Sequence, residues 1–183
     1  MTVSLPPTRF TPDDVLQLED EGLYELVDGN LVEKPMSSEA NAVAGAMGGH
    51  FFNFSQRNGG RHYPEQSFQC FPQDSGLIRR PDVAFVVADR LSGVSKTGHV
   101  TIAPDIAVEV VSPNDKVYDL DEKIADYKSA GVKLIWIVDP KARTVRVIRP
   151  GAATIELEEQ QTLTGDPVLP GFSVLVADLF PTP

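Results

Sequence analysis

Apolar residues recur along this chain with two different periods, and the change of period separates helices from strands. Thr11 before Pro12, followed by two aspartates, predicts the start of a short helix, because threonine caps a helix and proline suits its first turn. Residues 38–56 carry apolar side chains at helical spacing, and Asn58-Gly59-Gly60 follows them as a stop signal. Residues 119–130 repeat that spacing and are followed by Gly131, so we expect two longer helices.

Strand-like segments fill most of the remaining chain. Two short apolar stretches within residues 24–33 flank Asp28-Gly29, a dipeptide that favours a tight β-hairpin turn. Six further segments have the composition of strands: 66–70, 82–87, 106–111, 134–138, 144–148 and 154–157. Near-continuous apolar runs in the central ones indicate strands covered on both faces. The tail, residues 168–180, is predicted to pack on the body.

This order of elements predicts an α/β fold of the α+β kind. We expect a central mixed sheet flanked by helices, with an N-terminal hairpin and a C-terminal β arm. A length of 183 residues suits one domain, so residues 1–183 are assigned to a single domain.

The amino-acid composition limits the kinds of metal site and partner that this chain can have. One cysteine rules out an internal disulfide framework, and three scattered histidines give no zinc motif, so any metal would be bound mainly by carboxylates. No signal peptide or membrane-spanning run is evident, and we therefore expect a cytoplasmic protein without a membrane partner. The net charge of -10 weakens a nucleic-acid function without excluding it, because screening lets the local field differ from the global sign.

Two acids stand out within apolar strands. Glu109 lies in the middle of an apolar run, where an ionised carboxylate without a partner would be costly. It is either compensated by a salt bridge or an outward-facing position, or it is a metal ligand or acid/base group; we favour the second alternative. Asp82 opens another strand after Pro81, where an aspartate also serves as a turn residue.

A second Pro-Asp pair competes with Asp82. Asp105 and Glu109 share one face of a strand, but four residues separate their Cα atoms by roughly 13 Å, too far for one hard cation to bridge easily. Neighbouring strands lie only about 5 Å apart, so Asp82 and Glu109 can converge if the register brings them level. We therefore assign Asp82 and Glu109 to the site.

Lys123 adds a candidate cation on the predicted helix. It lies one turn before Tyr127, at the edge of an apolar stripe, so its stem could run toward the sheet. The alternative is an ordinary surface lysine whose stem covers apolar neighbours.

These motifs together resemble the Uma2 family of restriction-endonuclease-like proteins. The residues that carry the resemblance are Glu25-x-x-Asp28-Gly29, Pro81-Asp82, Pro104-Asp105-x-x-x-Glu109-Val110-x-Ser112-Pro113, Lys123, Tyr127, Gly131-Val132, Trp136-x-x-Asp139-Pro140, Leu169-Pro170-Gly171-Phe172 and Leu179-Phe180. They span nearly the whole chain. The resemblance implies a restriction-endonuclease-like fold and membership of the PD-(D/E)xK nuclease superfamily.

The resemblance also implies roles for individual residues. Asp82 and Glu109 correspond to the two acids that bind Mg²⁺ or Mn²⁺, and Glu25 corresponds to a further acid of the site. The usual lysine position, two residues after the second acid, holds Val111. The family is similar to superfamily members in which this lysine has moved to the next helix, which favours Lys123. The family's histidine near residue 39 has no counterpart here.

The resemblance makes DNA hydrolysis the expected function, with DNA as partner and a homodimer as the assembly. Two alternatives remain open: a catalytically silent binding or assembly module of the same fold, and a hydrolase of small phosphorylated compounds. Five arginines either contact phosphate or belong to solvated faces, and we favour solvated faces: Arg79, Arg80, Arg143, Arg146 and Arg149.

Overall fold

The computed structural model describes residues 9–19, 22–34, 37–113 and 115–181. The elements, in chain order, are α1 (Pro12–Leu16), β1 (Tyr24–Val27), β2 (Asn30–Glu33), α2 (Ser38–Asn58), β3 (Arg61–Pro64), β4 (Val83–Val86), β5 (Ile106–Val110), α3 (Val117–Ser129), β6 (Leu134–Asp139), β7 (Thr144–Ile148), β8 (Ile155–Glu158), β9 (Thr162–Thr164) and β10 (Ser173–Leu175). Short 3₁₀ helices follow β4, at Ala88–Gly93, and β10, at Val176–Leu179. No helix in these ranges is long and apolar enough to cross a membrane.

Six strands form the central sheet in the order β3-β4-β5-β6-β7-β8. β5 and β6 are parallel, and the other neighbouring pairs are antiparallel, which confirms the predicted mixed sheet. α2 covers one face through Phe51, which packs in the same core cluster as Trp136 of β6. α3 covers the other face through Ile124 and Tyr127, next to Ile135. The central strands are therefore buried on both faces.

Local sequence signals set the ends of α1 and α2, and the Thr11 cap and the closing Gly59 were predicted among them. Thr11 and Asp14 exchange the reciprocal hydrogen bonds of a capping box at the start of α1. Ser37 caps α2 by accepting from the amide of Ala40, and Gly59 follows the last helical residue at φ 74°. Each of these residues satisfies backbone groups that a helix terminus leaves without partners.

The N-terminal hairpin packs on this core, and the predicted C-terminal β arm, β7 and β8, extends the central sheet itself. Asp28 and Gly29 have φ values of 51° and 74°, the left-handed conformation that the β1-β2 turn requires. Leu26 of β1 is fully buried and forms an isolated bridge with Ile78. β8 pairs with β7, and β9 pairs with β10 in a small second ladder. Six apolar side chains of the tail are buried: Leu169, Phe172, Val174, Val176, Leu179 and Phe180.

The strand predicted at residues 66–70 is wrong. Phe68 forms only isolated bridges, with Arg79 and with Val100, and no continuous ladder runs through the segment. Its apolar character reflects the complete burial of Phe68 between those two stretches. The edge strand of the sheet is instead β3, residues 61–64, whose exposed and half-buried side chains gave it no apolar signature.

Candidate active site

Asp82 and Glu109 lie side by side at one end of the central sheet. Val83 of β4 pairs with Val108 of β5, and continuing this antiparallel register by one residue places Asp82 opposite Glu109. The amide of Val110 donates a 2.6 Å hydrogen bond to Oδ2 of Asp82. Asp82 is therefore fixed by the backbone of the strand that carries Glu109.

α3 supplies two partners to Glu109, which is only 5% exposed. The Tyr127 hydroxyl donates a 2.5 Å hydrogen bond to Oε1, and Lys123 Nζ lies 3.3 Å from Oε2. Residues four apart share one face of a helix, so a single face of α3 presents both groups to the end of β5. Lys123 Nζ also lies 3.2 Å from Oε1 of Glu25, so the structure brings Lys123, Glu25 and Glu109 together.

Lys34, directly after β2, completes this arrangement and was missed in the sequence analysis. Its Nζ lies 2.7 Å from Oδ1 of Asp82, 2.8 Å from Oε2 of Glu65 and 2.7 Å from the Arg80 carbonyl oxygen. These partners are 31 to 48 residues away in sequence. No local pattern could therefore have identified Lys34 or Glu65.

The prediction that Arg79 and Arg80 form a solvated face is wrong. Arg79 is 4% exposed and forms ion pairs with Glu25 at 3.1 Å and with Asp126 of α3 at 2.7 Å. Arg80 donates through its guanidinium to the carbonyl of Glu65 and through its amide to Oε1 of Glu25. Both arginines therefore hold the site's acids in place, and these contacts leave neither guanidinium as a solvated surface group.

Together these side chains form a charged cluster with more acids than bases. Its members are Glu25, Lys34, Glu65, Arg79, Arg80, Asp82, Glu109, Lys123 and Asp126. Five carboxylates face four cationic groups, so one negative charge is left without a matching cation. Since buried charges are costly unless balanced, this excess should fall on the acid that is most difficult to ionise.

Glu109 is that acid. Burial raises its pKa to about 7, with further upward contributions from the charges of Asp82 and Glu25, while Lys123 and Lys34 act against the rise. For Glu25, burial also disfavours the charge, but Lys123, Arg79 and the Arg80 amide outweigh it and lower the pKa. The two buried acids of the site therefore differ in protonation near neutral pH, as paired carboxylates in enzyme sites often do.

Both lysines remain cationic. Burial disfavours the ammonium of Lys34, but Asp82, Glu109 and Glu65 outweigh it and raise its pKa. The pKa of Lys123 is raised in the same way, because Glu109 and Glu25 outweigh its desolvation. Neither ammonium is available as a base at neutral pH.

Two cavities among the described residues are lined by Glu109. The larger, of about 490 Å³, lies between the β1-β2 hairpin and α3 and is lined by Glu25, Lys34, Glu109 and Lys123. The smaller, of about 30 Å³, is lined by Asp82 and Glu109 together with Glu65 and both lysines. The smaller space is about the volume that one water molecule occupies in the liquid, so it can hold a single small ion or water beside both acids.

The oxygen atoms of this cluster could bind a hard divalent cation only if the lysine ammonium groups that now contact them moved away. Carboxylate and carbonyl oxygens are the ligands that Mg²⁺ and Mn²⁺ prefer. However, both oxygens of Asp82 and both of Glu109 already accept hydrogen bonds or ion pairs from protein groups. Among the described residues, no three His, Cys, Asp or Glu side chains form a group that could hold a metal. Two acids, a carbonyl and water would therefore complete any coordination shell.

Asp105, the competing acid, lies outside the cluster. It is fully buried, and its carboxylate accepts from Lys133 at 2.8 Å, Arg90 at 2.9 Å and the amide of Val87 at 2.9 Å. These contacts join the loop after β4 to the start of β5 and the turn before β6. Its role in the structure is to connect these segments.

A mixed sheet that carries paired acids at one end, flanked by helices on both faces, is the architecture of restriction-endonuclease-like proteins. The chain belongs to the Uma2 family: residues 12–178 match the family described as "Putative restriction endonuclease". This confirms the resemblance inferred from the sequence.

One solved structure shares the fold over almost the full chain. It is described as "a putative nuclease belonging to DUF820 from Anabaena variabilis ATCC 29413", with a TM-score of 0.78 and 23% identity over 93% of this chain and 97% of that one. A second, the "cryoEM structure DrdV-DNA complex", has a TM-score of 0.35 and 16% identity over 57% of this chain and 9% of that one. No curated protein matches the sequence.

Proposed function

We propose that this protein is a metal-dependent nuclease that hydrolyses phosphodiester bonds in DNA at the Asp82-Glu109 pair. The supporting observation is that both carboxylates and Lys123 line one small cavity that opens beside a larger one. Family membership and the shared nuclease fold give the class of chemistry. Attack on a phosphodiester brings an anionic nucleophile toward an anionic group, so carboxylates alone would repel both.

In this proposal Asp82 and Glu109 would hold Mg²⁺ or Mn²⁺. When bound, the ion would polarise the phosphodiester and lower the pKa of a water ligand. Lys123 stabilises negative charge and does not accept a proton, because its raised pKa keeps it cationic. Glu25 and Glu109 fix the position of its ammonium from two sides, and Tyr127 fixes Glu109. Because Val111 occupies the usual lysine position, Lys123 of α3 takes the role of that lysine.

Cleavage of plasmid and linear DNA in the presence of Mg²⁺ or Mn²⁺ tests the proposal. We expect metal-dependent strand breaks with wild type, and a loss of at least about 100-fold in rate with Asp82→Asn or Lys123→Met, the order of magnitude for removing a charge that stabilises a transition state. Asp105→Asn is the control, since it makes the same change at a fully buried acid outside the cluster. Folded wild type that cleaves none of several DNA substrates, or an Asp82→Asn variant as active as wild type, would contradict the proposal.

The rival function is a catalytically silent binding or assembly module. The acidic rim of the larger cavity favours it, because negative charge there repels DNA. This rim contains four acids and one lysine: Glu33, Asp115, Asp119, Glu122 and Lys116. Calorimetry with Mg²⁺ separates the two functions in part. A silent module should give no binding heat that Asp82→Asn abolishes.

The homodimer stays a prediction, and sedimentation of the intact chain tests it.

A further inference from the structure

The ammonium of Lys34 lies among three oxygen atoms that belong to separate parts of the chain. Asp82 Oδ1, Glu65 Oε2 and the Arg80 carbonyl surround Nζ at 2.7 to 2.8 Å. Lys34 is 9% exposed, so this cation is shielded from most solvent. A positive charge at this point is needed, because two carboxylates and a carbonyl would otherwise face one another with little water between them.

The three oxygens are also the donor types that a hard divalent ion accepts. Their distances to Nζ, 2.7 to 2.8 Å, exceed Mg²⁺-oxygen distances of about 2.0 to 2.1 Å by less than about 1 Å. Small side-chain shifts would therefore bring Asp82 and Glu65 into contact with an ion at the same point. Both acids line the small cavity that Glu109 also lines, so the position adjoins the proposed catalytic pair.

Hydrogen bonds that do not involve Lys34 connect the residues of the oxygen cage, which consists of Asp82 Oδ1, Glu65 Oε2 and the Arg80 carbonyl oxygen. Glu65 has a φ of 49°, an unfavourable conformation for a residue with a side chain. The Arg80 guanidinium binds the Glu65 carbonyl, and the Glu65 amide donates to the Asp82 carbonyl at 3.1 Å. Glu65, Arg80 and Asp82 are thus tied to one another without help from Lys34. Removing the ammonium should leave the cage assembled.

We propose that Glu65, Asp82 and the Arg80 carbonyl form a cation site that the Lys34 ammonium fills in the metal-free protein, so that a divalent ion and Lys34 compete for it. Glu65 is then a metal ligand in addition to Asp82. Lys34 also lines the 490 Å³ cavity, into which its flexible stem can withdraw. The inference rests on the proposed function only in placing the metal at Asp82; it does not require turnover.

Equilibrium binding of Mn²⁺, followed by electron paramagnetic resonance of the free ion, tests the competition. Lys34→Met should bind Mn²⁺ at least about ten-fold more tightly than wild type, because a unit charge is removed from the centre of the cage. Lys116→Met is the matched control: it removes the same charge from the rim of the same cavity and should leave the affinity within about two-fold of wild type. Adding Glu65→Gln to Lys34→Met should reverse the gain.

Three results would overturn the inference: Lys34→Met binding no tighter than wild type, an equal gain in Lys116→Met, or a gain that survives Glu65→Gln. If Lys34→Met fails to fold, wild type provides the test through the ¹⁵N signal of the Lys34 ammonium, which Mg²⁺ should shift or broaden as it saturates the protein. An unchanged signal at saturation, or no saturation, would contradict it. Failure of DNA cleavage alone bears on the proposed function, since these measurements report binding without activity.

Discussion

The Tyr127 hydroxyl donates a 2.5 Å hydrogen bond to Oε1 of Glu109. Tyr127 belongs to the apolar stripe that packs α3 on the sheet, and it is 1% exposed. One residue therefore both buries a helix face and holds the carboxylate at the centre of the candidate site. The site and the core on this side of the sheet share the same packing.

Tyr127→Phe separates these two roles. The ring stays in place, but one buried oxygen of Glu109 loses its donor, so we expect the free energy of unfolding to fall by about 1–3 kcal/mol. Urea denaturation measures this change. Tyr118→Phe removes a hydroxyl from a residue that is 83% exposed and should have almost no effect. Equal stabilities of Tyr127→Phe and wild type would show that the hydrogen bond contributes nothing net.

Glu109 should make stability depend on pH near neutrality. Its pKa is raised from 4.5 to about 7 in the folded protein, with burial as the main cause. Between these values the folded state holds a proton that the unfolded chain has lost, so the free energy of unfolding falls as pH rises from about 4.5 to about 7 and this contribution is constant above that range. Well below about pH 4.5 the Glu109 carboxyl is protonated in both the folded and the unfolded state, so its contribution no longer changes with pH.

Glu109→Gln removes this dependence, because the amide does not ionise. The stability of wild type relative to Glu109→Gln should decrease between pH 5 and pH 7 by up to about 1 kcal/mol per pH unit. Urea denaturation at several pH values checks this. Glu122→Gln removes an acid from an exposed position of α3 and should parallel wild type. A constant difference between wild type and Glu109→Gln across this range would rule out a raised pKa at Glu109.

Substitution of Arg79 tests whether the charged groups of the cluster depend on one another for stability. Arg79→Met leaves Glu25 and Asp126 without their shared cation, and we expect a loss of about 3–5 kcal/mol in the free energy of unfolding. Adding Glu25→Gln should recover part of that loss, because it lowers the excess of buried negative charge that Arg79→Met creates. Additive losses in the double variant would contradict the network.

Arg143→Met is the surface control for Arg79→Met. Arg143 pairs with Glu159 where both side chains are about one-third exposed. Such a pair contributes about 1 kcal/mol or less. A loss of similar size in both arginine variants would mean that burial of the Arg79 pairs adds nothing to their importance.

The sequence predicted the parts of the fold that local patterns encode. α2 follows from the helical spacing of Val43, Met47 and Phe51, all of which are fully buried. β3 could not be predicted, because a half-exposed edge strand is defined by its hydrogen bonds to β4 and not by its own composition. The strand predicted at 66–70 failed for the converse reason, since burial of Phe68 there arises without a ladder.

The residues of the candidate site also fall into those that local sequence patterns identified and those that they did not. Asp82 and Glu109 were identifiable because each acid interrupts or opens an apolar strand, and the register of β4 on β5 then brings them together. Lys34 and Glu65 gave no such signal. Lys34 follows a short hairpin strand, and its three oxygen partners become neighbours only after β1-β2 docks against the sheet. Charge balance in a buried cluster is a tertiary property that no periodicity encodes.

Asp105→Asn tests the assignment of Asp82 over the other Pro-Asp pair. Asp105 bonds to Lys133, Arg90 and the Val87 amide, so its loss of charge should lower the free energy of unfolding by about 1–3 kcal/mol through weakened charged hydrogen bonds. Mn²⁺ affinity should stay at the wild-type value, whereas Asp82→Asn should abolish it. Parallel urea denaturation and Mn²⁺ titration of the two variants measure both quantities. If Asp105→Asn weakened Mn²⁺ binding as much as Asp82→Asn, the metal would depend on the integrity of β5 as a whole, and the specific role of Asp82 would be lost.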